Sequence, residues 1–324
     1  MERRTAPIDL SRSQVEAAVG VCDLGPVSTY ERLDTGHANT NYVVTTAHAK
    51  LVLRLHVNDP AACAKERAIH ELLQDSVPLS SQLGSHEDRE LLGYPFSISS
   101  FVEGVTLERA LQGGAQIRVE TAARSLGDTL ARLSQFRFET FGDLAVAAGT
   151  SSLEVVPRSV RDFYRDVLFE SPAGSRLGPL RDRVWRLVQT SAERISDAWP
   201  PHLAHGDFNP TNLLVDDHGE LSAVLDWEFA HAGSIWADLG NLLRSRPDCP
   251  LPPYFIPALL ESLSDLGLNL PENWNALRLL ADLASACEFL SSPEDRPKTH
   301  TAALRQISST LKLLAGRGAG PGPG

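Results

Sequence analysis

The stretch 205-HGDFNPTN-212, running into 213-LLV-215, decides how this chain is read. His205, Asp207 and Asn212 can each hold a proton or a metal, and Gly206 and Pro210 shape a loop before an apolar run. Just beyond, 212-NLLVDD-217 and 220-ELSAVLD-226 flank His218-Gly219 and read as a β-hairpin. Asn212 enters that hairpin and Asp226 leaves it, and entry and exit residues of an antiparallel pair are neighbours. An amide oxygen and a carboxylate therefore converge on one point. That pairing suits a hard divalent cation such as Mg²⁺, whose shell water and phosphate oxygens complete. Asp207 lies five residues before Asn212, where a carboxylate can orient an attacking hydroxyl and accept its proton.

Upstream of the loop, the first hundred residues read as strands with one helix. Residues 42-YVVTT-46 and 51-LVLRLH-56 flank a polar turn, and Leu51, Leu53 and Leu55 alternate with Val52, Arg54 and His56. Residues 60–75 switch to a helical stripe, and 94-YPFSISSFV-102 is a further strand ending at Glu103-Gly104. After Gly104 the pattern is helical, with windows at 116–136, 157–169, 179–199, 234–245, 254–266, 272–291 and 297–315. The one β-rich interruption expected there is 202–228. The chain is thus predicted to be α+β and bilobal: a β-rich lobe over 1–101, a helical lobe over 102–316 and a disordered Gly/Pro tail over 317–324.

The order HGD, Asn five residues on, a hairpin, 225-LDWE-228, then 238-DLGNLLR-244 resembles the aminoglycoside phosphotransferase family of small-molecule kinases, within the protein-kinase-like fold. The resemblance implies Asp207 as catalytic base, with His205 bracing its loop, Asn212 and Asp226 as Mg²⁺ ligands, and Asp238 holding the loop backbone. It implies ATP or GTP as phosphoryl donor. In 33-LDTGHANTNYVV-44, Gly36, Asn39 and Tyr42 match a family turn whose backbone can approach phosphate oxygens. Arg54 stands where many relatives carry the phosphate-clamping lysine, with Glu66 as its helix partner; an arginine fork is a departure from a lysine point charge. The connector around Ser100, Phe101 and Val102 is expected to meet the purine edge through its backbone. Neither an APE-bounded segment nor DFG is present, which favours a small-molecule acceptor over a peptide. Among the acidic residues of the helical lobe, Glu228 and Glu288 are the expected acceptor contacts, while Trp227 and Trp236 are expected to pack. A kinase-like binding protein without catalysis is the rival reading, set against the retention of Asp207, Asn212 and Asp226.

Bulk properties fit this. The 324 residues, 42% hydrophobic and 22% charged, are ample for a buried core. Four separated cysteines argue against a zinc site or disulfide framework and suit a reducing cytosol. No apolar leader and no run of roughly 20 apolar residues is found, so a cytoplasmic location with no membrane partner is expected. The net charge of −11 without a basic patch argues against nucleic acid and suits a cationic acceptor. A monomer or homodimer is expected.

Overall fold

The computed structural model describes all residues except Met1, Arg4, 34–38, 115–117, 148–149 and 318–324. Gly36, and the expected tail beyond Arg317, lie outside the described residues.

The β-rich lobe is one antiparallel sheet. Its strands are β1 (Val27–Arg32), β2 (Thr40–Thr46), β3 (Lys50–Leu55), β4 (Gln82–His86) and β5 (Phe96–Ser100), in the order β1-β2-β3-β5-β4. The period of two in β3 sends Leu51, Leu53 and Leu55 to one face, where they pack with Tyr42, Val44, Phe96 and Ile98. Helix α1 (Arg12–Val21) covers that face with Val15, Ala18 and Val19. Arg54 therefore goes to the opposite face, where α2 (Ala61–Leu73) lies. Sequence reasoning expected one helix here, and α1 makes a second. Its signal was the pair Ser11 and Gln14, which form a capping box.

After the connector, β6 (Val105–Thr106) already pairs with β10 (Leu213–Val215), which pairs with β11 (Leu221–Val224). Gly104 (φ 147°) permits this crossing, because a Cβ there would sit 2.8 Å from the Val215 carbonyl oxygen. The helices that follow β6 are α3 (Leu107–Arg109), α4 (Val119–Leu133), α5 (Val160–Phe169), α6 (Ala173–Leu177), α7 (Leu180–Asp197), α8 (Ile235–Leu242), α9 (Phe255–Asp265), α10 (Trp274–Glu288) and α11 (Pro297–Arg317). Helix α4 packs on α9 beside the hairpin, in a core that holds the fully buried Trp227 and Trp236. A second core joins α5, α7, α10 and α11.

The helical lobe carries more strand than the sequence pattern suggested. Strands β7 (Gly142–Val146) and β8 (Leu153–Pro157) form a hairpin that joins β12 (His231–Gly233) and β9 (His202–Ala204) in the order β8-β7-β12-β9. Each of these strands is at most five residues long. Their pairing, rather than their own periodicity, makes them strands.

Candidate active site

The loop between β9 and β10 is gripped from below. Asp238, fully buried on α8, accepts hydrogen bonds from the backbone amides of His205 (3.0 Å) and Gly206 (2.9 Å). Gly206 adopts φ +79°, and a Cβ there would meet the Phe229 carbonyl oxygen at 2.3 Å. Both ring nitrogens of His205 are used. Nε2 donates to the Leu225 carbonyl (2.9 Å), and Nδ1 accepts from the Asp207 amide (3.2 Å). This network assigns the proton to Nε2. Burial drives the ring pKa down to about 4, so the ring is neutral. His205 thus holds the loop to the end of the hairpin, and it has no ring nitrogen left for proton transfer.

Asp207 presents its carboxylate above this platform. Asn209 Nδ2 donates to Oδ1 (2.6 Å) and Asn212 Nδ2 to Oδ2 (2.9 Å). Burial first, and the nearby Asp226 second, push the carboxyl up to about 6. Asn212 also ties the hairpin shut, since its carbonyl accepts from the Leu225 amide (2.8 Å). Asp226 follows in the left-handed region (φ 67°, ψ 70°), a conformation uncommon for a non-glycine residue.

Four ionisable groups converge opposite the loop. Arg54 lies 2.5 Å from Asp226 Oδ1, 3.2 Å from Glu66 Oε1 and 3.9 Å from Glu228 Oε1. The Glu66 contact is an ion pair without hydrogen-bond alignment. Three carboxylates thus share one guanidinium. Burial raises Glu66 to about 7 and Glu228 to about 8, and Arg54 keeps Asp226 below the usual carboxylate range against its burial. The cluster has room for more positive charge. Its hard oxygen donors have the chemistry Mg²⁺ takes.

Two residues expected at the ligands hold partners inside the protein. Asn39 is buried, and its amide donates to Glu228 Oε2 (3.1 Å) and accepts from the Val57 amide (3.1 Å). It joins the lobes. Glu228 is correspondingly committed to Asn39 and Arg54, and its carbonyl accepts from Lys65 Nζ (2.7 Å). In the connector, the Ser100 amide donates to Ser81 (2.9 Å) and the Phe101 amide to Lys50 (3.0 Å). The Val102 amide has no partner among the described residues. Of the Ser100, Phe101 and Val102 amides, then, that of Val102 is open to a base edge.

Beside the loop lies a cavity of about 700 Å³, lined by α2, the β7–β8 hairpin, α5, β12 and α10, and touching Gly206, Glu228 and Glu288. Sequence reasoning also missed a buried relay behind the loop. Gln306 of α11 donates to Asp282 of α10. Asp282 pairs with Arg244 (2.7 Å), which donates to Asn241 (2.6 Å), which in turn donates to the Gly206 carbonyl (2.9 Å). Its signal was the spacing of three between Asp238, Asn241 and Arg244, a polar stripe that starts on an apolar helix and runs just past its end. Asn209, the second clamp on Asp207, stood unread inside the opening motif.

Against known proteins, residues 29–280 match the family described as "Phosphotransferase enzyme family". The mouse protein "Acyl-CoA dehydrogenase family member 10" is 24% identical over 298 residues, 83% of this chain and 26% of that protein. The chain thus spans about a quarter of that relative's length. A homoserine kinase of Gluconobacter oxydans is 23% identical over 271 residues, 78% of each chain. Among solved structures, a thermostable mutant of aminoglycoside phosphotransferase APH(4)-Ia, in ternary complex with ADP and hygromycin B, superimposes with TM-score 0.68 at 17% identity. That match covers 94% of this chain and 99% of the other and shows a common fold.

Proposed function

The chain belongs to the phosphotransferase enzyme family, and from that premise we propose that it is a small-molecule kinase. It moves the γ-phosphoryl group of ATP or GTP onto a hydroxyl of an amino- or hydroxyl-bearing acceptor, the class that includes aminoglycosides. The observation that carries this is the clamped Asp207 carboxylate, raised to about 6 and facing the acidic residues gathered around Arg54.

Asp207 fits the base: Asn209 and Asn212 fix both its oxygens, and a carboxyl raised toward neutrality takes a hydroxyl proton more readily than an ordinary one. Arg54, steadied by Glu66, holds phosphate oxygens, and the Val102 amide meets the base. Mg²⁺, held by Asn212 and Asp226, would neutralise charge on the phosphate oxygens when bound. Asp238, His205 and Asn241 keep the loop in place while the hydroxyl is aligned.

The test is nucleotide consumption with Mg²⁺ and ATP or GTP across aminoglycosides, macrolides, homoserine and amino alcohols, beside the Asp207→Asn variant. Acceptor-dependent turnover that drops at least about a hundredfold in the variant is expected. Turnover unchanged in the variant would overturn the role of Asp207. Absence of any nucleotide binding would overturn the kinase reading itself.

A further inference from the structure

The cavity of about 700 Å³ beside the loop has the size of a small-molecule site. Its wall carries short apolar side chains on separate elements: Ala64 of α2, Ala145 of β7, Ala230 and Ala232 at β12, and Ala281 and Ala284 of α10. Such residues leave volume for a ligand and offer it methyl surface. Gly206, the residue before Asp207 in the loop, borders the same space.

The acidic residues on this wall already have partners inside the protein. Glu228 accepts from Asn39 and neighbours Arg54. Asp143 pairs with Arg158 at 3.3 Å and Glu87 with Arg67 at 2.8 Å. Asp59 accepts from the Ala61 amide at 3.0 Å, and Glu288 is engaged within the protein. The cations Lys65 and Arg158 stand among them. A polycationic ligand would have to share carboxylates that already hold partners, and exposed ion pairs of this kind return only about 0–1 kcal/mol each. An apolar body exchanges nothing; it displaces water from the alanine wall.

We infer that the acceptor is a hydroxylated molecule with a largely apolar body, neutral or singly charged, and not a polyamine sugar. The inference rests on the kinase reading and narrows its acceptor. It departs from the cationic acceptor that the acidic composition suggests, because the carboxylates at the cavity are already engaged inside the fold.

The probe is a homologous series of straight-chain alcohols, 1-butanol to 1-octanol, titrated into the full chain with Mg²⁺ and a non-hydrolysable ATP analogue, with kanamycin in parallel. The Kd of the alcohols should fall about three- to fourfold for each added methylene. Kanamycin should show no binding. Two variants that fill the cavity from different walls, Ala284→Trp and Ala145→Trp, should flatten the chain-length dependence and leave binding of the ATP analogue unchanged. Alcohol binding that ignores chain length or both variants, or kanamycin binding that weakens as salt rises, would overturn the inference. Failure of the ATP analogue to bind the unaltered chain would instead sink the kinase reading, a separate outcome read in the same titration.

Discussion

Asp207 is an acid held partly against ionisation, and that shapes its response to pH. Burial and Asp226 raise its pKa to about 6, so the anion needed for proton acceptance is full above that pH and lost below it. We expect kcat/KM to fall about tenfold per pH unit below about 6, a limb read from a pH–rate profile on any acceptor the panel yields. His205 contributes no second limb, since its ring is already neutral at these pH values. Arg54 is the next decisive residue. Arg54→Ala leaves Glu66, Asp226 and Glu228 facing one another, and should raise the nucleotide KM or lower kcat by more than about tenfold. Wild-type values of both would remove Arg54 from the site. Gly206 is constrained by both φ and space. Gly206→Ala forces a Cβ into the Phe229 carbonyl and should cost about 1–3 kcal/mol in urea unfolding while sharply lowering turnover.

Among the elements, α8 does the most to fix the site. Its Asp238 holds the amides of His205 and Gly206, and its Asn241 holds the Gly206 carbonyl, so the peptide units around Gly206 are gripped at both ends. Behind Asn241 stands the Arg244–Asp282 pair, with side chains 6% and 3% exposed. Arg244→Met strands a buried carboxylate and should destabilise by about 3–5 kcal/mol. Arg244→Met with Asp282→Leu removes both charges and should recover much of that loss; urea unfolding of the single and double variants checks it. The loop, its hairpin and Asp238 of α8 were legible in the sequence because each signal lies within a few residues of itself. The β7–β8 hairpin was not. Gly142, Leu144 and Val146 give too short an alternation, and the strand exists because β12 and β8 pair with it on either side.

Across the whole molecule, the lobes meet at the chemistry. Asn39, Arg54 and Lys65 of the β-rich lobe converge on Asp226 and Glu228 of the helical lobe. Burial raises Glu228 to about 8, so at pH 7 it largely carries a proton. Glu228→Gln should therefore leave thermal stability near wild type, whereas Glu228→Ala leaves the buried Asn39 amide unpaired and should cost about 1–3 kcal/mol. Equal melting temperatures for the two variants would show that this link carries no weight. By itself the sequence determined the bilobal α+β pattern and the motif residues from His205 to Asp238. Strand alternation, turn chemistry and helix spacing are local and survive without knowledge of the fold. Only the tertiary structure decided that Asn39 turns to Glu228 across 189 positions, that Asp282 lies behind the loop, and that the acidic residues at the cavity are already engaged. Those facts depend on which distant groups packing brings within hydrogen-bond reach, and burial then sets their charge; neither is written in any short window of sequence.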